Sequence, residues 1–112
     1  VFRLQEPPAA VEFSRDYASC RGYGEMRTIL ACNENPSNDA HACYEKLRAA
    51  LSDFKPGDFI LWSGGDPMSA FLAGVVLGDL GAEDVNWLRW DRRTDGTGAR
   101  TRHGYYTPVR LA

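Results

Sequence analysis

The chain reads as an α/β protein: a small open sheet, in two or three layers, with a βαβαββ core of parallel strands and an antiparallel strand at its C-terminal edge. Two observations predict it. Short apolar runs at Thr28–Cys32, Phe59–Trp62 and Val85–Trp90 alternate with stretches whose apolar residues recur at helical spacing. A final run, Tyr105–Leu111, follows Val85–Trp90 across a polar, glycine-bearing loop from Arg92 to Gly104, with no helical pattern between them. Two such strands are most simply antiparallel neighbours, and Pro108, which has no backbone donor, puts the last one at a sheet edge.

Each element has a local reason. Ahead of the core, residues 1–25 lack clean periodicity: Phe2 and Leu4 give a short apolar start, Pro7-Pro8 follows, and a helical stretch is possible from Ala9 to Tyr17. We therefore read 1–25 as an extension packing on a single domain of residues 26–112. After Thr28–Cys32, the polar loop Asn33-Glu34-Asn35-Pro36 leads to Ser37, Asn38 and Asp39, any of which can cap a helix. Ala40, Cys43, Tyr44, Leu47, Ala50, Leu51 and Phe54 then share one helix face, until Lys55-Pro56-Gly57-Asp58 stops it. Phe59–Trp62 is continuously apolar, as suits a strand covered on both faces. It breaks at Gly64-Gly65, and Asp66-Pro67 reads as an N-cap followed by proline at the first helical position. Met68, Phe71, Leu72, Val75, Val76 and Leu80 form the next stripe; Gly74 and Gly78 within it are expected to pack closely on the sheet. If the first three strands are sequential neighbours, both helices lie on one face. The other face then needs a cover, from the extension or from a second subunit; a flavodoxin-like strand order with helices on opposite faces is the alternative.

Composition bounds the function. At 112 residues and 44% hydrophobic the chain supports one ordinary globular domain, and no apolar run approaches the roughly 20 residues of a membrane helix. The formal net charge of −2 argues against non-specific nucleic-acid binding by the whole domain, yet it hides a segregation. Residues 86–112 hold six arginines against Asp91 and Asp95, a net +4, which leaves −6 for residues 1–85. Cys20, Cys32 and Cys43 are odd in number and lack C-x-x-C spacing, a pattern of free thiols in a reducing cytoplasm. Cys32 and Cys43 read as small buried hydrophobes, and His41 with Cys43 makes only a poor start for a zinc site.

Three spaced elements, Gly57 to Pro67, Leu88-Arg89-Trp90-Asp91-Arg92 and Tyr105-Tyr106-Thr107-Pro108-Val109, resemble a group of short uncharacterised proteins of tailed bacteriophages. In that group a G-D-hydrophobic strand ending in a G-D-P turn precedes an apolar helix, a strand close to L-K-W-D-R and a final Y-x-P-V strand. The likeness covers residues 26–112, and the longer Arg93–His103 stretch departs from it. It implies a viral origin and a bacterial-cytoplasmic setting, and it brings no activity or catalytic residue with it.

Two candidate surfaces follow. Asn33, Asn35, Ser63, Gly64, Gly65, Asp66 and Arg89 gather at the carboxyl ends of parallel strands, where α/β sheets bind ligands. The Ser63–Asp66 turn opens a helix, so its amides can hold an anion; but Asp66, as a cap, occupies those donors and repels negative charge. No P-loop or G-x-G-x-x-G signature is present. The second surface comprises Arg92, Arg93, Arg100, Arg102 and His103, with aromatics nearby, and suits an acidic protein better than nucleic acid. His41 and His103, the only histidines, belong to no nucleophile–base pattern, and nothing calls for a cofactor or metal. The leading expectation is a non-enzymatic phage protein that binds a host macromolecule through the basic loop. The alternative is a nucleotide- or phosphate-binding module, enzymatic or not, at the Ser-Gly-Gly-Asp turn.

Overall fold

The computed structural model describes residues 1–6, 22–94 and 100–112, and along 91–94 and 100–105 it describes the backbone alone. Its elements in chain order are β1 (Phe2–Gln5), β2 (Arg27–Leu30), α1 (Ala40–Leu51), β3 (Phe59–Leu61), α2 (Met68–Asp79), β4 (Asn86–Thr94) and β5 (Arg100–Arg110). They build one five-stranded sheet in the order β2-β1-β3-β4-β5. β1 is parallel to both β2 and β3, β3 is parallel to β4, and β4 and β5 are antiparallel. The architecture is thus α/β with a parallel body and an antiparallel edge.

The order differs from three sequential neighbours in one respect. β2 and β3 run in the same sense, but β1 lies between them, with Phe2 in register with both Arg27 and Ile60. The segment Phe2–Gln5, read from sequence within an extension, is an inner strand. Its sequence Phe-Arg-Leu-Gln alternates, so Phe2 and Leu4 join the helix-side core while Arg3 and Gln5 alternate with them; all four are buried. The Arg3 guanidinium donates to Thr28 Oγ1 at 2.8 Å. The helical stretch expected at Ala9–Tyr17 and Cys20 lie outside the described residues.

Strand order is flavodoxin-like, yet both described helices sit on one face. Cys43, Leu47 and Leu51 of α1 and Ala73, Val76 and Leu77 of α2 share one apolar cluster with Phe2, Leu4, Ile29 and Ile60. α1 ends earlier than expected, at Leu51, but Phe54 still packs on that cluster, its ring 6.0 Å from that of Phe2. α2 closes with the hydrogen bonds of a Schellman motif: Ala82 N–H donates to Leu77 and Gly81 N–H to Gly78, with Gly81 at φ +66°. On the opposite face a smaller cluster of Leu61, Leu88 and Tyr106 is flanked by Tyr23, whose ring meets Phe59 edge-on at 4.9 Å.

The helix-side glycines behave otherwise than expected. Gly74 and Gly78 are exposed, and a Cβ added to either meets nothing within 4 Å. Neither packs on the sheet. The expected Arg92–Gly104 loop is also shorter than its polarity suggested: β4 continues to Thr94 and β5 begins at Arg100, with Arg92 opposite Gly104 and an irregular register between Arg92 and Thr94. β4 pairs with β3 only as far as Leu88, so beyond it β4 and β5 form a two-stranded ribbon past the end of β3.

Candidate functional site

In the order 2-1-3-4-5 the chain leaves β1 toward one side of the sheet and β3 toward the other, and the gap between these strands at their carboxyl ends is the usual ligand crevice. An open cleft of about 560 Å³ lies there, lined by Gln5, Cys32, Asn33, Glu34, Asn35, Gly65, Asp66 and Pro67. Its volume falls in the range of small-molecule sites.

Gln5 organises the cleft. Its carboxamide, at the end of β1 and 1% exposed, donates to Ala31 O at 3.1 Å and Glu34 O at 2.6 Å, and accepts from the Asp66 N–H at 2.9 Å. One side chain therefore ties the loop after β2 to the turn after β3. Gly65, at φ +89°, leaves room for it: a Cβ there would stand 2.5 Å from Gln5 Oε1. Gln5 was not among the residues singled out from sequence. The available signal was its place two residues beyond Arg3 in an alternating run, which reads as a strand only once the sheet is known.

The turn is held as a cap. Asp66 accepts from Met68 N–H at 3.0 Å, as an N-cap carboxylate does, although Pro67 already has helical dihedrals (φ −57°, ψ −24°). Its other oxygen accepts from the Ser37 N–H at 2.9 Å and hydroxyl at 2.6 Å, and these bonds, that of the Ser37 hydroxyl foremost, hold the carboxyl below its usual range. Ser37 thereby serves Asp66, while Asp39, at the N-cap position of α1, makes no side-chain capping bond. Glu34 accepts from Ala31 N–H at 2.9 Å and from Lys46, and both contacts lower its carboxyl as well. Among the described residues the lining thus carries two ionised acids, Glu34 and Asp66, and no lysine or arginine of its own, Lys46 reaching Glu34 from α1.

Of the expected ligand residues, Asn33, Asn35, Gly65 and Asp66 line the cleft; Ser63, Gly64 and Arg89 do not. Ser63 is fully buried with its Oγ unpaired, and Arg89 is exposed on β4 opposite Thr107. Both cysteine expectations can be placed: Cys43 is 3% exposed, with burial pushing its thiol up, whereas Cys32 is exposed at the cleft rim, a correction to its reading as a buried hydrophobe. Cys32 follows the last residue of β2, where the chain has already left the core. Among the described residues no group of three His, Cys, Asp or Glu side chains converges to hold a metal ion.

The basic residues occupy backbone positions on the ribbon: Arg92 and Arg93 on β4, Arg100, Arg102 and His103 on β5. Nearby aromatics are engaged in packing. Trp90 meets Tyr106 edge-on at 4.9 Å, Tyr106 is 2% exposed, and Trp87 packs on the helix-side core.

Fold and cleft together define a small α/β protein with a flavodoxin-like strand order and a polar crevice at its switch point. The chain belongs to the family described as phage Pam3 gp32-like protein, whose model matches residues 1–97 and so includes β1. No curated protein and no solved structure matches it. It is accordingly a phage protein, and among its described residues no helix is long and apolar enough to cross a membrane.

Proposed function

We propose that this protein is a non-enzymatic binding protein that engages an acidic host protein, in the cytoplasm of the infected bacterium, through the β4–β5 ribbon. The observation that carries this reading is the ribbon itself. Past Leu88 the two strands continue as a pair without β3, and the sequence puts Arg92, Arg93, Arg100 and Arg102 between Leu88 and Gly104 against two acids, Asp91 and Asp95. Strands about 4.8 Å apart concentrate those charges, which favours an acidic surface and speeds encounter with it. Nucleic acid is the weaker partner. Base stacking needs open aromatic faces, whereas Trp87 and Tyr106 are committed to packing.

The test is affinity capture from a bacterial lysate by the full chain and by the double variant Arg100→Glu/Arg102→Glu. The wild-type chain is expected to retain an acidic protein, to release it as salt rises, and to lose it on charge reversal. Equal capture by the reversed variant, or retention of nucleic acid alone, overturns the reading.

A second reading rests on the cleft's position at the switch point. Its two ionised acids, of which only Glu34 is paired with a lysine, turn it away from phosphates and nucleotides and toward small polar molecules that donate hydrogen bonds, such as amines. A thermal-shift comparison of spermidine with AMP separates these, since a ligand at a hundred times its dissociation constant adds roughly 2.7 kcal/mol. A shift with AMP alone would restore the phosphate reading.

A further inference from the structure

We propose that the outward face of α2 is a self-association surface on which two copies of this chain dock. Met68, Phe71, Gly74, Val75 and Gly78 recur at three- and four-residue spacing on the side of α2 turned away from Ala73, Val76 and Leu77. Phe71 is 70% exposed, Val75 41% and Met68 40%. No charged residue occurs from Pro67 through Gly78. A helix that is apolar all round is ordinarily covered all round, and exposed apolar surface of this continuity marks an interaction site.

The sheet beside it is uncovered too. By register, Trp87 and Val109 lie on the helix side, and there Val109 is 36% and Leu111 59% exposed. Between α2 and the end of β5 runs an apolar groove of about 260 Å³, with Gly74, Gly78 and Leu111 on its walls. The molecule therefore offers a corner, helix on one side and sheet on the other, of the kind a further helix fills.

A second α2 fits this corner for two reasons. The first is shape: the protruding ring of Phe71 and the side-chain-free positions Gly74 and Gly78 lie within two turns of one another. A two-fold axis between paired helices sets each ring over the other copy's glycines, the self-complementary arrangement of an isologous interface. The second is charge. Copies of a chain with net charge −2 repel, and this face lets them meet without apposing like charges. The acids that flank α2 in sequence are largely engaged: Asp66 accepts from Ser37, Asp79 from the Tyr44 hydroxyl, and Asp84 pairs with Arg110, while the exposed Glu83 lies past the helix end. Phe71 offers on the order of 150 Å². The whole face falls short of the roughly 800 Å² per partner of a standard interface, so the dimer is a weak one, with a dissociation constant on the order of 10 μM.

Sedimentation velocity on the full chain, from about 1 to 300 μM, brackets that constant and tests it. The expected result is a concentration-dependent monomer–dimer equilibrium that Phe71→Lys weakens at least tenfold. Gly74→Ala/Gly78→Ala supplies a control with opposite signs: the added methyls have free space in the monomer and raise its melting temperature, yet they stand between the paired helices and weaken the dimer. A wild-type chain that stays monomeric throughout overturns the proposal. So does a Phe71→Lys chain that dimerises as the wild type does, or Phe71 shielded only by a different protein.

Discussion

α1 and α2 are twelve residues each, lie side by side on the same face of the sheet and bury equivalent inner stripes, but their outer faces have opposite character. α1 turns His41, Glu45 and Lys46 outward, with Lys46 paired to Glu34. α2 turns out Met68, Phe71 and Val75 with two glycines. The core specifies only the inner half of a helix. The outer half records what the helix meets next, water for α1 and, on our proposal, a second α2.

The sharpest way to break this comparison is to cut equivalent amounts of side chain from an inner and an outer face. Leu47→Ala removes a fully buried side chain of α1 and is expected to destabilise the fold by about 3 kcal/mol in urea denaturation. Phe71→Ala, at concentrations where the chain is monomeric, should change stability by no more than about 0.5 kcal/mol. A large loss from Phe71→Ala would mean that α2 is covered within its own chain.

Next in size is the junction that sets the start of α2. Gly65→Ala forces a side chain into a positive φ and against Gln5 Oε1, and should cost on the order of 2 kcal/mol. Gln5→Leu keeps the bulk but strands the Asp66 N–H and the Glu34 carbonyl, each worth roughly 1–3 kcal/mol when left unpaired and dry, and leaves the Ala31 carbonyl only the Glu34 N–H. Thermal melts of both variants check this. If Gln5→Leu melts like the wild type, the cleft is wet enough to satisfy those groups, and Gln5 does not organise it.

That junction also shows what a sequence can disclose. Phe59–Leu61, the Gly64-Gly65 turn and the Asp66-Pro67 helix start announce themselves, because continuous apolar residues, paired glycines and a capping pair are local signals. β1 does not. Its four residues alternate apolar and polar although the strand is interior, since Gln5 is spent on loops and Arg3 on Thr28; alternation over four residues does not identify a strand, least of all a buried one. Half of the candidate cleft was legible because Asn33, Asn35, Gly65 and Asp66 follow strand ends. Ser63 and Arg89 fall outside the cleft lining because which way a residue points at a strand end depends on register with neighbours, and β1 is a neighbour that local sequence does not reveal.

A smaller effect sharpens the contrast between outer faces. Each glycine in a helix interior costs up to about 1 kcal/mol relative to alanine, so Gly74→Ala and Gly78→Ala should each stabilise the monomer by about 0.5–1 kcal/mol, as read by urea denaturation. Such a gain left unused in the natural chain is what a close-approach surface predicts. No gain would mean that the two positions need glycine for the monomer itself.

The last prediction concerns the place where the two helix starts meet. Asp66 caps the α2 end and binds Ser37 ahead of α1, while Glu34 holds the intervening loop through Ala31 and Lys46. Both carboxyls are held below their ordinary values in the folded chain. Unfolding therefore takes up protons in the acid range, and stability rises with pH there. The contribution is complete above the unfolded carboxylate range and is lost as pH falls through the folded values. The melting temperature should accordingly be level through neutral pH and decline as pH drops below about 4. Asp66→Asn and Glu34→Gln should each start lower and flatten that decline. An unchanged acid limb in both variants would separate the two helix starts, leaving Gln5 as their only link among the described residues.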